Sequence, residues 1–248
     1  MRIAVVGATG RIGAHAVAAL ERTGHDVTPI SRTKGVDVYA GTGLLDALAG
    51  ARAVIDASNT PAREEAEIVD FFGTSTHNLL AAEHEAGVRH HVLLSIVGID
   101  RAQRVAHYAG KRTQEQLVRS GLIPWSIVRA TQFHDFAAMV AGWTARAGVA
   151  TIAPLLVQPV APSDVGSVLA EVAVGAPLGD TMELAGPETQ DLVDMARRTL
   201  AARGEQIRLV PTWRGMFGQD MAGEVLLPGD RARLGRTTFD QWLAAGAH

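Results

Sequence analysis

Residues 3–13 read Ile3-Ala4-Val5-Val6-Gly7-Ala8-Thr9-Gly10-Arg11-Ile12-Gly13. A short apolar run rich in β-branched residues ends at a glycine, the pattern of a buried strand closed by a turn. Ile12, Ala16, Ala19 and Leu20 then recur on one face of a 3.6-residue period, so the turn opens directly into an amphipathic helix. The glycines between strand and helix, spaced G-x-x-G-x-x-G, let the backbone turn sharply and approach a ligand closely. A helix N-terminus at that point offers free N–H groups and the positive end of its dipole, which together suit a phosphate. The spacing alone is common in proteins. Its position between a strand and a helix is what gives it meaning.

Working outward, the same punctuation continues. Gly24 closes the first helix, and residues 27–31 follow as a strand. A helix striped by Ile68, Phe71, Phe72, Leu79, Ala82 and Ala86 stops at Gly87 and leads into a strand over 91–95. Another helix, over about 106–119, stops at Gly121 and leads into a strand over 125–129. Glycine past a helix end lets the chain turn left-handed and leave. Shorter strands are predicted at 37–40 and 53–56. Alternating strands and helices of this kind imply an α/β fold, a doubly wound parallel sheet covered on both faces.

Past residue 150 the punctuation is less regular. Pro154, Pro159 and Pro162 precede a helix predicted near Ser163-Asp164, where a short polar side chain caps the first turn. A strand at 181–184, a helix at 192–203, a strand at 206–210 and a last helical turn at 239–245 complete the reading. The expected organisation is a dinucleotide-binding core over 1–150 and a small C-terminal lobe over 151–248 packed on it, not an independent domain.

Composition bounds the class. The 248 residues are 47% hydrophobic and 20% charged, values of an ordinary globular chain. Lys and Arg number 23 against 26 Asp and Glu, a net charge of −3 that argues against a nucleic-acid platform. The absence of cysteine excludes disulfides, thiolate metal sites and thiol nucleophiles. The N-terminus has too short an apolar stretch for a signal peptide, and no apolar run is long enough to span a bilayer. A cytoplasmic protein with a small-molecule substrate is expected, as monomer or homodimer, with neither nucleic acid nor membrane as partner.

The end of the second strand decides which dinucleotide fits. An NAD site wants an acidic residue about 20 positions past the glycines to accept from the ribose 2′-hydroxyl. Ser31 and Arg32 stand there instead, 18 and 19 residues after Gly13. A guanidinium binds a 2′-phosphate through charge-assisted bonds, each worth ~1.5–3 kcal/mol. Arg11, opening the helix, is a candidate second contact. The expectation is NADP(H) in preference to NAD(H).

With these residues in place the sequence resembles the atypical short-chain dehydrogenase/reductase superfamily, most closely its NmrA-like, NAD(P)H-binding members. The resemblance rests on Gly7 to Gly13, Asp56-Ala57-Ser58-Asn59, Leu93-Leu94-Ser95, Lys111, Arg129-Ala130-Thr131-Gln132-Phe133, and a tail through Phe239-Asp240-Gln241-Trp242-Leu243. It implies a Rossmann fold with a small C-terminal substrate lobe. It also implies cofactor contacts from Gly7, Thr9, Gly10, Ile12, Gly13, Ala57, Ser58 and Asn59. By the same resemblance Ser95 lies near the reacting carbon, Lys111 on the nicotinamide ribose, and Thr131 to Phe133 beside the carboxamide.

One departure bears on the chemistry. The superfamily's acid is a tyrosine four residues before the lysine, one helical turn away on the same face. His107 occupies that slot, and Tyr108 lies about 100° around the helix from it. Three options follow: Tyr108 shifted into place and acidified by Lys111, His107 with an ordinary pKa of ~6.5, or solvent alone. The expected function is an NADPH-dependent oxidoreductase passing a hydride to a small carbonyl, quinone-like or flavin-like acceptor. The alternative is a non-catalytic NADP(H)-binding redox sensor. Candidate catalytic residues are Ser95, His107, Tyr108 and Lys111.

Other constellations carry less. His84, His90 and His91 straddle a helix end and a strand start and are expected to be solvated or capping groups, with no metal. Phe133, Phe136, Met139 and Trp143 recur at helical spacing after the sixth expected strand, and 213–218 has the glycines of a lid.

Overall fold

The computed structural model describes residues 1–246. Its centre is a seven-stranded sheet, parallel throughout, in the order β11-β8-β5-β4-β3-β1-β2. The strands are β1 (Arg2–Val6), β2 (Asp26–Ile30), β3 (Ala53–Asp56), β4 (His90–Ile96), β5 (Trp125–Ala130), β8 (Thr181–Ala185) and β11 (Arg233–Leu234). β1, β3 and β4 are buried on both faces, which is why they read as unbroken apolar runs rather than alternating ones.

On one face lie α1 (Arg11–Arg22) and α6 (Pro162–Val174), closing a core of Ile3, Val5, Ile55, Val92, Val128 and Leu169. On the other lie α2 (Leu44–Leu48), α3 (Glu65–Ala86) and α4 (Ala106–Ser120). The chain runs from β1 out to β2 and returns to β3 on the opposite side of β1. The crevice between β1 and β3 is therefore the topological switch point, where open parallel sheets bind ligands beyond their strand ends.

A second core sits beside the sheet. It joins α5 (Phe136–Thr144), α7 (Leu192–Ala202) and α8 (Phe239–Ala244) around Ile152, Leu155, Leu192, Met195, Phe239 and Trp242. Two small ladders brace it: β6 (Val149–Ile152) pairs parallel with β10 (Arg208–Pro211), and β7 (Leu156–Val157) pairs antiparallel with β9 (Gln190–Asp191). Residue 150 does not separate sheet from lobe, because α6, β8 and β11 all come after it and belong to the sheet layer.

The local readings hold unevenly. The strand expected at 37–40 is absent. Asp37 makes a single bridge to Thr42, and its carboxylate accepts from the N–H groups of Tyr39 (2.9 Å) and Ala40 (3.2 Å), a turn that competes with a ladder. The helix near Ser163 begins at Pro162, and Asp164 faces the tail instead of capping it. Its carboxylate accepts from the Arg236 and Thr237 N–H groups and the Thr237 hydroxyl. α8 has a capping box between Thr238 and Gln241. No described helix is long and apolar enough to cross a membrane.

Candidate functional site

The glycine loop forms a cradle at the switch point. Gly7 has φ +72°, and a Cβ there would sit 2.5 Å from the Ala57 carbonyl oxygen; at Gly13 a Cβ would meet the Gly7 carbonyl oxygen at 2.1 Å. Only hydrogen fits at either place, so the loop folds tightly against the end of β3. Gly10 is the N-cap of α1 and supplies no side chain to it. The first-turn N–H groups of Arg11, Ile12 and Gly13 therefore point out of the helix end, the arrangement that binds anions. The Ser58 hydroxyl beside this cradle is buried with no hydrogen-bond partner. A dinucleotide pyrophosphate and ribose fit this combination of N–H groups without intrahelical partners, missing side chains and an unused hydroxyl.

Around the mouth, Thr9 and Asn59 are exposed, while Ala57 and Ser58 line the β3 end half-buried. Ser31 and Arg32 follow β2. The Ser31 hydroxyl bonds the Thr33 hydroxyl at 2.9 Å, and Arg32 is exposed with no acidic partner among the described residues. Arg11 does not join Arg32. Its guanidinium crosses the mouth to Asp135 at the start of α5, with Nε to Oδ2 at 2.9 Å. Burial pushes the Asp135 carboxyl up, and Arg11 opposes that.

Ser95 stands apart from these. Side chains alternate along β4, and Ser95 faces α4, where its hydroxyl donates to Glu115 at 2.6 Å. Arg129 clamps the same carboxylate through Nε (2.8 Å) and Nη2 (2.7 Å), and Arg119 adds a second cation at 3.0 Å. Burial would raise the Glu115 pKa, but the bonds from Arg129, Ser95 and Arg119 hold it below the usual range. Ser95 is thus part of a buried ionic network and has no hydroxyl proton to spare for a substrate.

Lys111 is also buried. Its ammonium bonds Gln114, whose amide donates to Asp56 at 2.8 Å, and it lies 4.8 Å from the Phe72 ring centre. Burial lowers its pKa to about 8, against the pull of Asp56 and Glu115. His107 shares that side of the helix, edge-on to Phe72 at 5.4 Å. Burial and the Lys111 charge lower its pKa to about 4, so near neutrality it is an uncharged imidazole and not the ready acid expected from its ordinary value.

Tyr108 points the other way, into the second core with Ile99, Ala102, Ala137 and Val140. Burial drives its phenol up to about 12, and the groups that oppose the rise are Gln132 and Arg101, not Lys111. The expected Lys111–Tyr108 pairing is therefore not formed. Just past β5, the Thr131 hydroxyl donates to the Gln158 carbonyl at 2.6 Å, and Phe133 forms a bridge with Val160. Gln132 between them is buried.

A family model described as NAD(P)H-binding matches residues 7–173, about two-thirds of the chain. The chain belongs to this NAD(P)H-binding family. No curated protein matches it. Among solved structures, a short-chain dehydrogenase/reductase superfamily protein from Agrobacterium tumefaciens with bound NAD aligns at TM-score 0.73 and 19% identity, over 100% of this chain and 96% of that one. An NADPH-dependent quinone oxidoreductase (QOR2) from Escherichia coli, complexed with NADPH, aligns at 0.71 and 17% over 99% and 100%. The Citrobacter sp. triphenylmethane reductase complexed with NADP(H) aligns at 0.65 and 18% over 86% and 79%. The family match thus bears out an NAD(P)H-binding chain, and the solved structures bear out the Rossmann-type fold expected from the sequence.

In this NAD(P)H-binding chain several residues that shape the site had no separate signal in the sequence. Asp135 claims Arg11 from 124 positions away. Glu115 claims Ser95 from an adjacent layer. His90 and His91, expected to be solvated, are buried. His91 Nδ1 pairs with Glu83 at 2.8 Å, and His90 Nε2 meets the Ser126 hydroxyl at 2.8 Å. Among the described residues no cluster of His, Asp and Glu is suited to hold a metal. On the lobe side, Phe136, Trp143 and Phe217 form an aromatic cluster with ring centres 5.6–6.5 Å apart. The 213–218 segment, with Phe217 at φ +65°, lines an open cavity of about 540 Å³ with Arg104 and Val105.

Proposed function

We propose that this NAD(P)H-binding chain is an oxidoreductase that prefers NADP(H) and reduces a small carbonyl, quinone-like or flavin-like acceptor. The observation that carries the reading is the open N-terminus of α1 in its glycine cradle, with the unpaired Arg32 guanidinium at the end of β2. The cradle N–H groups hold the pyrophosphate, Ser58 supplies a hydroxyl to the adenosine side, and Arg32 binds the 2′-phosphate. Lys111 reaches the nicotinamide ribose by leaving Gln114. When bound, NADPH supplies the hydride.

The acceptor class follows from the acid–base groups. Neither His107 near 4 nor Tyr108 near 12 titrates around neutrality, and the Ser95 hydroxyl is engaged. An electron-poor acceptor, whose reduced oxygen is a weak base, makes the least demand on a positioned acid. The half-exposed rings of Trp143 and its neighbours offer a planar molecule a surface to stack on.

Steady-state NADPH oxidation against a panel of quinones and carbonyls tests this, beside titrations of NADPH and NADH. Turnover with at least one acceptor and tighter NADPH binding are expected. The second reading, a non-catalytic NADP(H) sensor, is favoured by the same commitment of Ser95 to Glu115. It requires NADPH binding with no turnover on any acceptor.

A further inference from the structure

Gln132 occupies an unusual position. It lies two residues past β5, and its backbone is held on both sides: Thr131 N–H donates to the Leu184 carbonyl at 2.9 Å, and Val160 N–H donates to the Gln132 carbonyl at 2.8 Å. Neighbouring side chains find protein partners, as Thr131 does in Gln158. The Gln132 side chain does not. The residue is 8% exposed, and its amide makes no hydrogen bond of full geometry, though the Tyr108 phenol lies close to it. Burying an amide in this way is costly, and native structures rarely keep such a group without a use for it.

Its surroundings suggest the use. Strand C-termini face the ligand crevice in an open parallel sheet. Tyr108, near the start of α4, comes close enough for the Gln132 amide to favour its ionised form. Ser95, the residue expected to donate to a substrate oxygen, instead gives its hydroxyl to Glu115 at 2.6 Å. The site thus has a free amide and a phenol side by side, and a serine that is already taken.

We propose that the Gln132 amide, together with the Tyr108 hydroxyl, binds and polarises the acceptor's oxygen in place of Ser95. The proposal rests on the oxidoreductase reading given above and adds the group that meets the substrate. One amide N–H faces the Tyr108 oxygen and the other faces the acceptor oxygen. The acceptor gains two electrons with the hydride, and its oxygen takes a proton from water; the Tyr108 phenol, whose acidity burial suppresses, keeps its proton and donates a hydrogen bond to that oxygen. The amide oxygen remains free to accept from a hydroxyl or N–H adjacent to that carbonyl. The favoured substrates are planar acceptors with a donor beside the reducible oxygen, such as hydroxyquinones or the O=C–N–H edge of a flavin.

The test compares wild type with Gln132→Leu, which keeps the volume without polar atoms, and Gln132→Glu, which keeps the shape and cannot donate as a carboxylate. Three quantities are read: melting temperature, affinity for NADPH and for 2′-phospho-ADP-ribose, and turnover of 2-hydroxy-1,4-naphthoquinone and menadione. The expected result is a melting temperature about 2–4 °C higher for Gln132→Leu with unchanged NADPH affinity. Both variants should lose ~10²–10³-fold in kcat, the scale of one oxyanion donor, and wild type should prefer the hydroxyquinone.

A kcat within threefold of wild type in both variants would overturn the proposal and leave the oxidoreductase reading standing. So would weaker NADPH binding with 2′-phospho-ADP-ribose unaffected, which would assign the amide to the nicotinamide. A lower melting temperature in both variants would make Gln132 a structural residue and would also overturn it. Wild type inert towards every acceptor would overturn the functional reading itself, and the proposal with it.

Discussion

The Ser95 hydroxyl donates to the Glu115 carboxylate at 2.6 Å, and Arg129 grips that carboxylate with two nitrogens. Ser95→Ala is therefore expected to act on stability more than on chemistry. Losing one bond to a buried charge costs ~1.5–3 kcal/mol, while kcat should fall well short of the ~10²-fold drop that follows loss of a positioned donor. Glu115→Gln leaves Arg119 without its carboxylate and Arg129 with only the exposed Asp100 as counter-charge, and should destabilise by ~3 kcal/mol, the low end for a broken buried pair. Urea unfolding of the two variants, with kcat on the best acceptor, checks both.

Arg32→Glu replaces the expected 2′-phosphate ligand with a repelling charge. NADPH affinity should fall ~10–150-fold, the equivalent of ~1.5–3 kcal/mol, with NADH affinity unchanged or improved. Calorimetric titration of both cofactors reads this directly, and an equal loss for the two would remove Arg32 from the 2′-phosphate.

Gly13→Ala sets a Cβ 2.1 Å from the Gly7 carbonyl oxygen, a backbone atom that cannot yield without opening the cradle. The rise in melting temperature given by NADPH should vanish. Gly142→Ala in α5 is the control: nothing lies within 4 Å of its Cβ, and ~0.8–1 kcal/mol of added stability is expected from helix propensity.

Acid should weaken the fold through its histidines. Burial, assisted by the His91 charge, lowers His90 to about 4, and burial with the Lys111 charge does the same to His107. Both pKa values are depressed in the folded state. Their contribution is thus complete above the ordinary value of ~6.5 and is lost as pH falls towards 4, by about 1.4 kcal/mol per pH unit for each histidine. His91 is raised: burial lowers it, but the Glu83 carboxylate outweighs burial. Its contribution runs the other way and is lost as pH rises above 6.5. Urea midpoints between pH 7 and 4.5 should show the acid slope, made shallower by one proton in His107→Gln.

Short-range patterns carried much of the architecture. The apolar run before Gly7, the glycine spacing and the helix stripes are local, and the parallel sheet follows from their alternation. The strand expected at 37–40 failed for an equally local reason, since the Asp37 carboxylate satisfies the backbone groups a neighbouring strand would have used. The candidate site was legible where backbone makes it, at Gly7 to Gly13, and the place of Arg32 just past β2 followed from counting along the chain. It was not legible where a side chain's partner lies far along the chain. Nothing near Ser95 announces Glu115, and nothing near Arg11 announces Asp135. The single-residue offset between His107 and Tyr108 was visible, but its outcome depended on which layer each helix face meets. One faces Phe72 and the other faces the lobe.

Arg101 connects two regions that the sequence keeps far apart. Its guanidinium donates to the Glu224 carbonyl at 2.9 Å and to the Leu227 carbonyl at 2.7 Å, 126 residues away for the latter, and its charge also bears on the Tyr108 phenol. The late segment that wraps past the sheet therefore does more than cover apolar surface. By holding this cation in place, it sets the electrical environment of a proton on α4, so a change at residues 224–227 would be read as a change in acidity half a chain away.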